Sequence, residues 1–147
     1  MQQGMKANYT GKNFEREVKS FLMGSNYNPL SSPLYEALWY SGGARKNQSD
    51  MWLKKIDTQL ELKFQNVSGT VDQKAFSELY NASERIDCEH YILIFGGAHW
   101  LKGRGKSICE NAKQHAEKLT NTPARGGARK LSAMRFDEFK EWIHEQS

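Results

Sequence analysis

The chain has 147 residues, the length of one domain, and its net charge is +4. Hydrophobic residues make up 38% and charged residues 26% of it, and only three are proline, which excludes a wholly disordered chain. The longest apolar run, residues 91–95, is too short to cross a bilayer, and the first twelve residues lack the apolar segment of a secretory signal. Cys88 and Cys109 form no C-x-x-C pair, and the histidines show no zinc spacing. These features predict a cytoplasmic (or nucleoid-associated) protein with free thiols and no membrane partner.

The positive charge is concentrated in one part of the chain. Residues 100–130 hold eight Lys or Arg against two Glu, a net of +6 that leaves −2 for the rest. Such a segment is typical of a protein that binds a polyanion, although a solvated basic helix explains it equally well. The candidate contacts to nucleic-acid phosphates are Arg45, Lys46, Lys74, Arg104, Lys106, Arg125, Arg129 and Lys130.

The first half of the chain predicts a helix and then a pair of strands. Thr10 is a candidate N-cap for a helix that extends to about residue 23. Residues 34–40 form either a buried strand or a short helix. Strands at 51–55 and 60–65 flank a turn at 56–58, and the second strand alternates between apolar and polar side chains.

The second half predicts alternating helices and strands. A helix at 72–84 has Phe76, Leu79 and Tyr80 facing inward, and the apolar run at 91–95 indicates a strand covered on both faces. The remaining elements are a basic helix at 106–119, a strand at 133–136 and a closing helix that begins at Phe136. After an N-terminal tail of residues 1–10, this order predicts a single-domain α/β protein, an αβα sandwich with a mixed central β-sheet over residues 11–147.

Acidic and basic side chains are predicted to meet on the paired strands. Glu61 and Lys63 share one face of their strand, and Asp50 begins the neighbouring strand. Two carboxylates beside an ammonium suit Mg²⁺ and phosphodiester chemistry. From spacing alone, a metal site and a solvated polar face are equally good interpretations. Asp57 is a rival to Asp50, but it falls in the turn, where its side chain does not easily reach the others.

Several short motifs resemble the core of the PD-(D/E)XK nucleases, the restriction-endonuclease-like superfamily. They are Asp50, the run Glu61-Leu62-Lys63-Phe64-Gln65 and the run Gly69-Thr70-Val71-Asp72-Gln73-Lys74. The segment 11–16 resembles the first helix of that fold, residues 91–100 its strand and Gly-Gly turn, and residues 136–139 the start of its last helix. The similarity covers about residues 11–143. Ser49 stands where the superfamily's name has proline.

The resemblance implies a restriction-endonuclease-like fold and a metal site. Asp50, Glu61, the Leu62 carbonyl and Glu15 would bind Mg²⁺, for which Mn²⁺ would substitute. Lys63 would position the attacking water, and Gln65 would lie at the edge of the site, so that Asp50, Glu61, Lys63 and Gln65 are the expected catalytic residues.

The expected function is therefore a Mg²⁺-dependent endonuclease that hydrolyses DNA with a metal-activated water, in restriction, repair, recombination or a mobile element. One chain supplies one site, so cutting both strands requires a homodimer or two successive nicks. No nucleotide cofactor is expected. The alternatives are a junction or flap nuclease of the same fold, a nucleic-acid-binding module without catalysis, and a scaffold whose basic segment binds an acidic protein.

Overall fold

The computed structural model describes residues 9–38, 44–66, 71–122 and 125–146. Most of the predicted N-terminal tail, and Gly69 and Thr70 of the motif, lie outside these residues. The helices are α1 (Gly11–Gly24), α2 (Val71–Arg85), α3 (Gly103–Thr120) and α4 (Phe136–Glu145). The strands are β1 (Tyr35–Leu38), β2 (Ala44–Asn47), β3 (Met51–Leu53), β4 (Thr58–Phe64), β5 (His90–Gly96) and β6 (Lys130–Arg135), and two 3₁₀ turns cover Lys54–Ile56 and Ala98–Leu101. None of the helices within these ranges combines the length and apolar character needed to span a bilayer.

The central sheet has four strands in the order β3-β4-β5-β6. Strand β3 runs antiparallel to β4, whereas β4, β5 and β6 are parallel, so the sheet is mixed as predicted. Strands β1 and β2 form a separate antiparallel ribbon. The sequence Ala-Arg-Lys-Asn of β2 has no apolar alternation, and this strand was not predicted.

Helices cover both faces of the sheet. Every residue of β5 is buried, which confirms the prediction from its apolar run. Alternate β5 side chains divide between two cores: Ile92 and Ile94 pack with α1 and α4, whereas Tyr91, Leu93 and Phe95 pack with α2 and α3. The chain is therefore an α/β protein with two helices on each side of its sheet.

Helix α1 begins where the sequence indicates. Thr10 accepts a hydrogen bond from the Asn13 amide, and the Asn13 side chain accepts one from the Thr10 amide, which completes a capping box. Phe14, Val18 and Leu22 form its buried stripe. The Phe14 ring packs closely against Gly96 of β5, so the first turn of α1 lies directly on the sheet.

Some predicted boundaries and one predicted core residue were wrong. Strand β3 ends at Leu53 rather than residue 55, because a 3₁₀ turn and Asp57 in the left-handed region complete the hairpin. Helix α3 begins three residues before the predicted start, at Gly103. Tyr80 is 51% exposed, because the buried stripe of α2 follows Ala75, Leu79 and Ala82 and Tyr80 lies about 100° from Leu79 around the helix.

Candidate active site at the end of strand β4

The alternation of β4 sends its polar side chains to the α2 side of the sheet. Leu60, Leu62 and Phe64 pack into the core formed with α1 and α4. Glu61 and Lys63 therefore point the other way, and the Lys63 ammonium reaches Glu78 of α2. The strand thus places a carboxylate and an ammonium side by side under a helix.

Lys63 lies between two carboxylates. Its Nζ is 3.3 Å from Glu61 Oε2 and 2.5 Å from Glu78 Oε1. The three side chains are largely withdrawn from water, with exposed fractions of 13% for Lys63, 15% for Glu61 and 19% for Glu78. In such surroundings the charges interact far more strongly than they would on the surface.

Asp50 joins this group from the start of β3. Its amide donates to the Leu60 carbonyl at 2.9 Å, and its Oδ2 accepts from the Leu62 amide at 2.7 Å. Because the N–H and C=O of one strand residue point to the same side, the Leu62 carbonyl also faces the Asp50 edge of β4. The structure therefore brings Asp50, Glu61, Lys63 and the Leu62 backbone together. We name Asp50, Glu61, Lys63 and Glu78 the carboxylate–lysine cluster.

Asp57, the rival to Asp50, has a different task. Its carboxylate accepts from the Trp52 indole at 3.0 Å and from the Glu89 amide at 3.1 Å. It fixes the β3–β4 turn to the beginning of β5 at the other end of β4. This placement favours Asp50 as the residue of the cluster.

The ionisation of the cluster reflects its burial. Burial raises the pKa of Glu61 well above its usual range, and the hydrogen bond and negative charge of Glu78, together with Asp50, raise it further. Burial also raises the pKa of Asp50, against the Leu62 amide and the Lys63 charge, which lower it. Burial alone would lower the pKa of Lys63, but Glu61 and Glu78 raise it. The carboxylates therefore favour the charged form of Lys63 and disfavour one another's ionisation, and a divalent cation would relieve that repulsion.

The sequence analysis missed one member of the cluster, Glu78, and one neighbour of it, Tyr35. Glu78 lies three residues after Ala75 and four before Ala82, both of which are core positions of α2. A charged residue at helical spacing between core positions was therefore the sequence signal that could have identified it. Tyr35 accepts a hydrogen bond from Asn47 at 3.2 Å, and burial together with Glu61 and Glu78 raises its pKa to about 12. Its position depends on packing between β1 and α2, which no local pattern indicates.

Gln65 continues the polar face of β4 just beyond its last residue. Its backbone is fixed, because its amide donates to the Gly96 carbonyl at 3.0 Å and its carbonyl accepts from the His99 amide at 3.1 Å. Only 8% of the residue is exposed, yet neither the amide nitrogen nor the oxygen of its side chain has a protein partner. Buried amides without partners are rare, and they commonly mark a site completed by water, an ion or a ligand.

Glu15 is more loosely connected to the cluster than the resemblance implies. It lies on α1, on the opposite side of the sheet from α2, and its carboxylate pairs with Lys19 at 3.1 Å. Both side chains are nearly half exposed. Its charge still contributes to the raised pKa of Asp50, so Glu15 lies within electrostatic range of the cluster.

The structure separates the predicted phosphate contacts into two groups. Lys130 is in register with His90 and Thr58, at the start of β4, about 16 Å along the strand from Lys63. Arg129, beside it, pairs with Asp87 and Glu89. Arg125 donates to the backbone carbonyls of four residues, namely Thr120, Thr122, Ala128 and Arg129. These three side chains serve the loop before β6 and lie away from the cluster.

The other predicted contacts are on the surface. Lys46, Lys74, Arg104 and Lys106 are exposed. The side chain of Arg45 lies outside the described part of the chain, although its backbone belongs to β2. Lys74 lies one helical turn before Glu78 on α2, which places it on the helix that carries the cluster.

An apolar groove of about 760 Å³ lies at the carboxyl ends of the parallel strands. Its walls include Tyr9, Phe14, Phe64 and Phe136, with Arg135 and Asp137 at the polar side. The groove lies on the α1 and α4 side of β4, whereas Glu61 and Lys63 point to the α2 side. The carboxylate–lysine cluster is the better candidate for chemistry, because it holds converging charged groups that share hydrogen bonds.

The cluster fits a hard divalent cation in charge and ligand type. Asp50, Glu61 and Glu78 offer oxygen ligands, and with Lys63 the ionised group carries two surplus negative charges. The partnerless Gln65 amide nearby suits an ordered water. As the side chains stand, no three His, Cys, Asp or Glu residues in the described ranges are disposed to hold a metal. A bound cation would therefore require the Lys63 ammonium to give up its contact with Glu61.

Comparison with known proteins assigns no family, so the class of this protein is defined by its fold and its site. The chain matches no family model, no curated protein and no solved structure. What the structure defines is an α/β protein with a mixed four-stranded sheet and, at the end of β4, a carboxylate–lysine cluster whose Glu61, Lys63 and Glu78 are largely withdrawn from water.

Proposed function

We propose that this protein is a Mg²⁺-dependent endonuclease that hydrolyses phosphodiester bonds in DNA. The observation that carries the proposal is the convergence of Asp50, Glu61 and Lys63 from two neighbouring strands. The sequence alone left a solvated polar face equally open. The small exposed fractions of Glu61 and Lys63 argue against that interpretation, because a solvated polar face would leave these charged groups in water.

Each residue of the cluster would have a distinct task. Asp50 and Glu61 would hold the cation, and the Leu62 carbonyl faces the same edge of β4. When bound, Mg²⁺ would acidify a coordinated water and neutralise the charge that develops on the phosphodiester. Lys63 would orient the attacking water and stabilise negative charge on the phosphate. Gln65, whose side-chain amide has no protein partner, would hold a water at the edge of the site once metal and DNA are bound.

Substrate approach would use the exposed cations on the cluster's side of the protein. Lys74 lies on the helix that carries Glu78, and Lys46 lies on the strand paired with that of Tyr35. Arg125 and Arg129 are engaged in backbone hydrogen bonds and ion pairs at the far end of the sheet. We therefore assign DNA contact to Lys46 and Lys74 ahead of Arg125, Arg129 and Lys130.

Supercoiled plasmid incubated with and without Mg²⁺ tests this function directly. We expect nicking or linearisation that requires the metal and is lost in Glu61→Ala and Lys63→Met. Glu84→Ala is the matched control, because Glu84 is an exposed residue of α2. Linear product at early times would indicate two sites acting together, whereas accumulation of nicked circles would indicate successive single-strand cuts. A branched substrate in parallel distinguishes a junction or flap nuclease.

One observation favours a second candidate, a nucleic-acid-binding module without catalysis. Lys63 bridges two carboxylates, and the described residues present no ready-made set of three metal ligands. On this interpretation the cluster would be a buried ion-pair network. Salt-sensitive DNA binding, with no cleavage of plasmid or branched DNA in either Mg²⁺ or Mn²⁺, would establish this candidate and refute the nuclease.

A further inference from the structure

Helix α2 contributes a third carboxylate, Glu78, to the cluster. It belongs neither to the strand motif of Glu61 and Lys63 nor to the first helix, where Glu15 was expected to act. We propose that Glu78 is the positioning residue of Lys63: it supplies the second carboxylate that keeps the ammonium in the cluster when a divalent cation displaces it from Glu61. The inference rests on the proposed nuclease function, since it assigns a task within that site.

The distances support this assignment. Lys63 Nζ is 2.5 Å from Glu78 and 3.3 Å from Glu61, so Glu78 is the nearer partner. Without Glu78, the buried ammonium would have Glu61 as its adjacent carboxylate in the strand and would be drawn onto it. A lysine held tightly on Glu61 would compete with a cation for the same oxygen atoms.

The helix places Glu78 rigidly enough for this task. Leu79 and the flanking Ala75 and Ala82 are fully buried against the sheet, so the backbone around Glu78 is held by core packing. A side chain on such an element has little freedom to move away, and it fixes the partner it binds. Glu15, by comparison, is on the other side of the sheet and paired with Lys19.

The charge balance gives a second reason for a third carboxylate. Asp50 and Glu61 with Lys63 would carry one surplus negative charge when ionised, and Glu78 raises the surplus to two. That surplus is unfavourable in a buried group and is neutralised by a divalent cation. Glu78 therefore both orients Lys63 and increases the attraction of the site for Mg²⁺.

Calorimetric titration with Mg²⁺ and Mn²⁺, followed by plasmid cleavage, tests the proposal. In Glu78→Gln we expect metal affinity to fall 10- to 100-fold, the magnitude typical for partners that orient metal ligands. We expect kcat to fall while KM for DNA stays nearly constant, because Glu78 does not contact the substrate. Glu78→Asp keeps the charge and should recover part of the metal affinity. Glu84→Gln, on the exposed side of the same helix, should behave as the wild type.

Different outcomes identify which idea has failed. Metal affinity and kcat of Glu78→Gln equal to those of the wild type would overturn the role of Glu78 and leave the nuclease intact. A wild-type protein that neither binds metal nor cuts DNA would overturn the nuclease itself. If Glu78→Gln does not fold, Glu78→Asp decides: a lower metal affinity and kcat at constant KM supports the proposal, and wild-type values refute it.

Discussion

Replacing Gln65 by leucine should make the protein more stable and less active. The side-chain amide of Gln65 is buried, and neither of its polar atoms has a protein partner. Leaving such a group without hydrogen bonds costs about 1–3 kcal/mol, whereas an apolar residue of similar size carries no such cost. We therefore expect Gln65→Leu to raise the free energy of unfolding by about 1–2 kcal/mol. If Gln65 holds a water of the active site, the same change should slow cleavage.

Gln59 provides a matched control on the same face of β4. It is 3% exposed, but its Oε1 accepts a hydrogen bond from Ser49 at 2.6 Å. Gln59→Leu should therefore lower the free energy of unfolding by about 1 kcal/mol, the opposite sign. Urea unfolding of both variants measures the two values, and plasmid nicking measures the activity. A Gln65→Leu variant that loses more than about 1 kcal/mol would refute the reasoning, because it would mean that the amide is satisfied in solution.

Two further predictions concern the core that holds the site. Burial, with Lys130, lowers the pKa of His90 to about 4, so the folded protein keeps this histidine neutral while the unfolded chain protonates it near pH 6.5. The stability that neutral His90 allows is complete above pH 6.5 and is lost as the pH falls towards 4. The free energy of unfolding, measured in urea, should therefore fall about 2 kcal/mol more between pH 7 and 5 in the wild type than in His90→Gln. The exposed variant His144→Gln is the control and should behave as the wild type. Gly96→Ala would place a Cβ 2.4 Å from the Phe14 ring, so thermal unfolding should show a loss of about 1–3 kcal/mol, which Phe14→Leu should partly restore. An unchanged stability of Gly96→Ala would contradict the tight approach of α1 to β5.

Local patterns predicted the elements whose burial is regular. The run of β5 is apolar throughout because both faces of this strand are covered, and α1 shows a stripe at helical spacing. The alternation of β4 likewise follows from a strand with one apolar and one polar side. Each of these signals is local, so the sequence contains it directly.

The parts that were missed depend on contacts between distant segments. Glu78 approaches Lys63 only because α2 packs across β4, and the sequence separation of the two residues gives no hint of it. Tyr80 was placed in the core by its apolar character, although the alanines of α2 determine which face is buried. Asp50, by contrast, was found because a hairpin brings neighbouring strands together in a way that spacing alone reveals. A candidate site was thus predictable where it lies within one hairpin, and not where a helix completes it.

The outer edge of β6 bears on how the proposed nuclease would cut both strands of DNA. An eight-stranded sheet built by pairing two β6 strands would be the simplest dimer, but the edge is partly occupied. Thr120 Oγ1 accepts from the Leu131 amide at 2.8 Å and lies 3.2 Å from the Leu131 carbonyl, and Glu138 accepts from the Arg135 amide at 2.9 Å. Side chains from both flanking helices therefore compete with any incoming strand.

Thr120→Val tests whether these contacts keep the edge closed. The valine preserves the shape but frees the Leu131 peptide, so we expect faster hydrogen exchange at the Leu131 amide and a loss of about 1 kcal/mol in the free energy of unfolding. Sedimentation over a range of concentrations should show more self-association than in the wild type. Thr122→Val is the control, because the Thr122 hydroxyl donates to the Lys118 carbonyl at 2.9 Å on the exposed surface. Unchanged exchange and sedimentation in Thr120→Val would mean that the edge is protected by other means. Confirmation would leave two successive nicks, or a dimer through another face, as the route to a double-strand break.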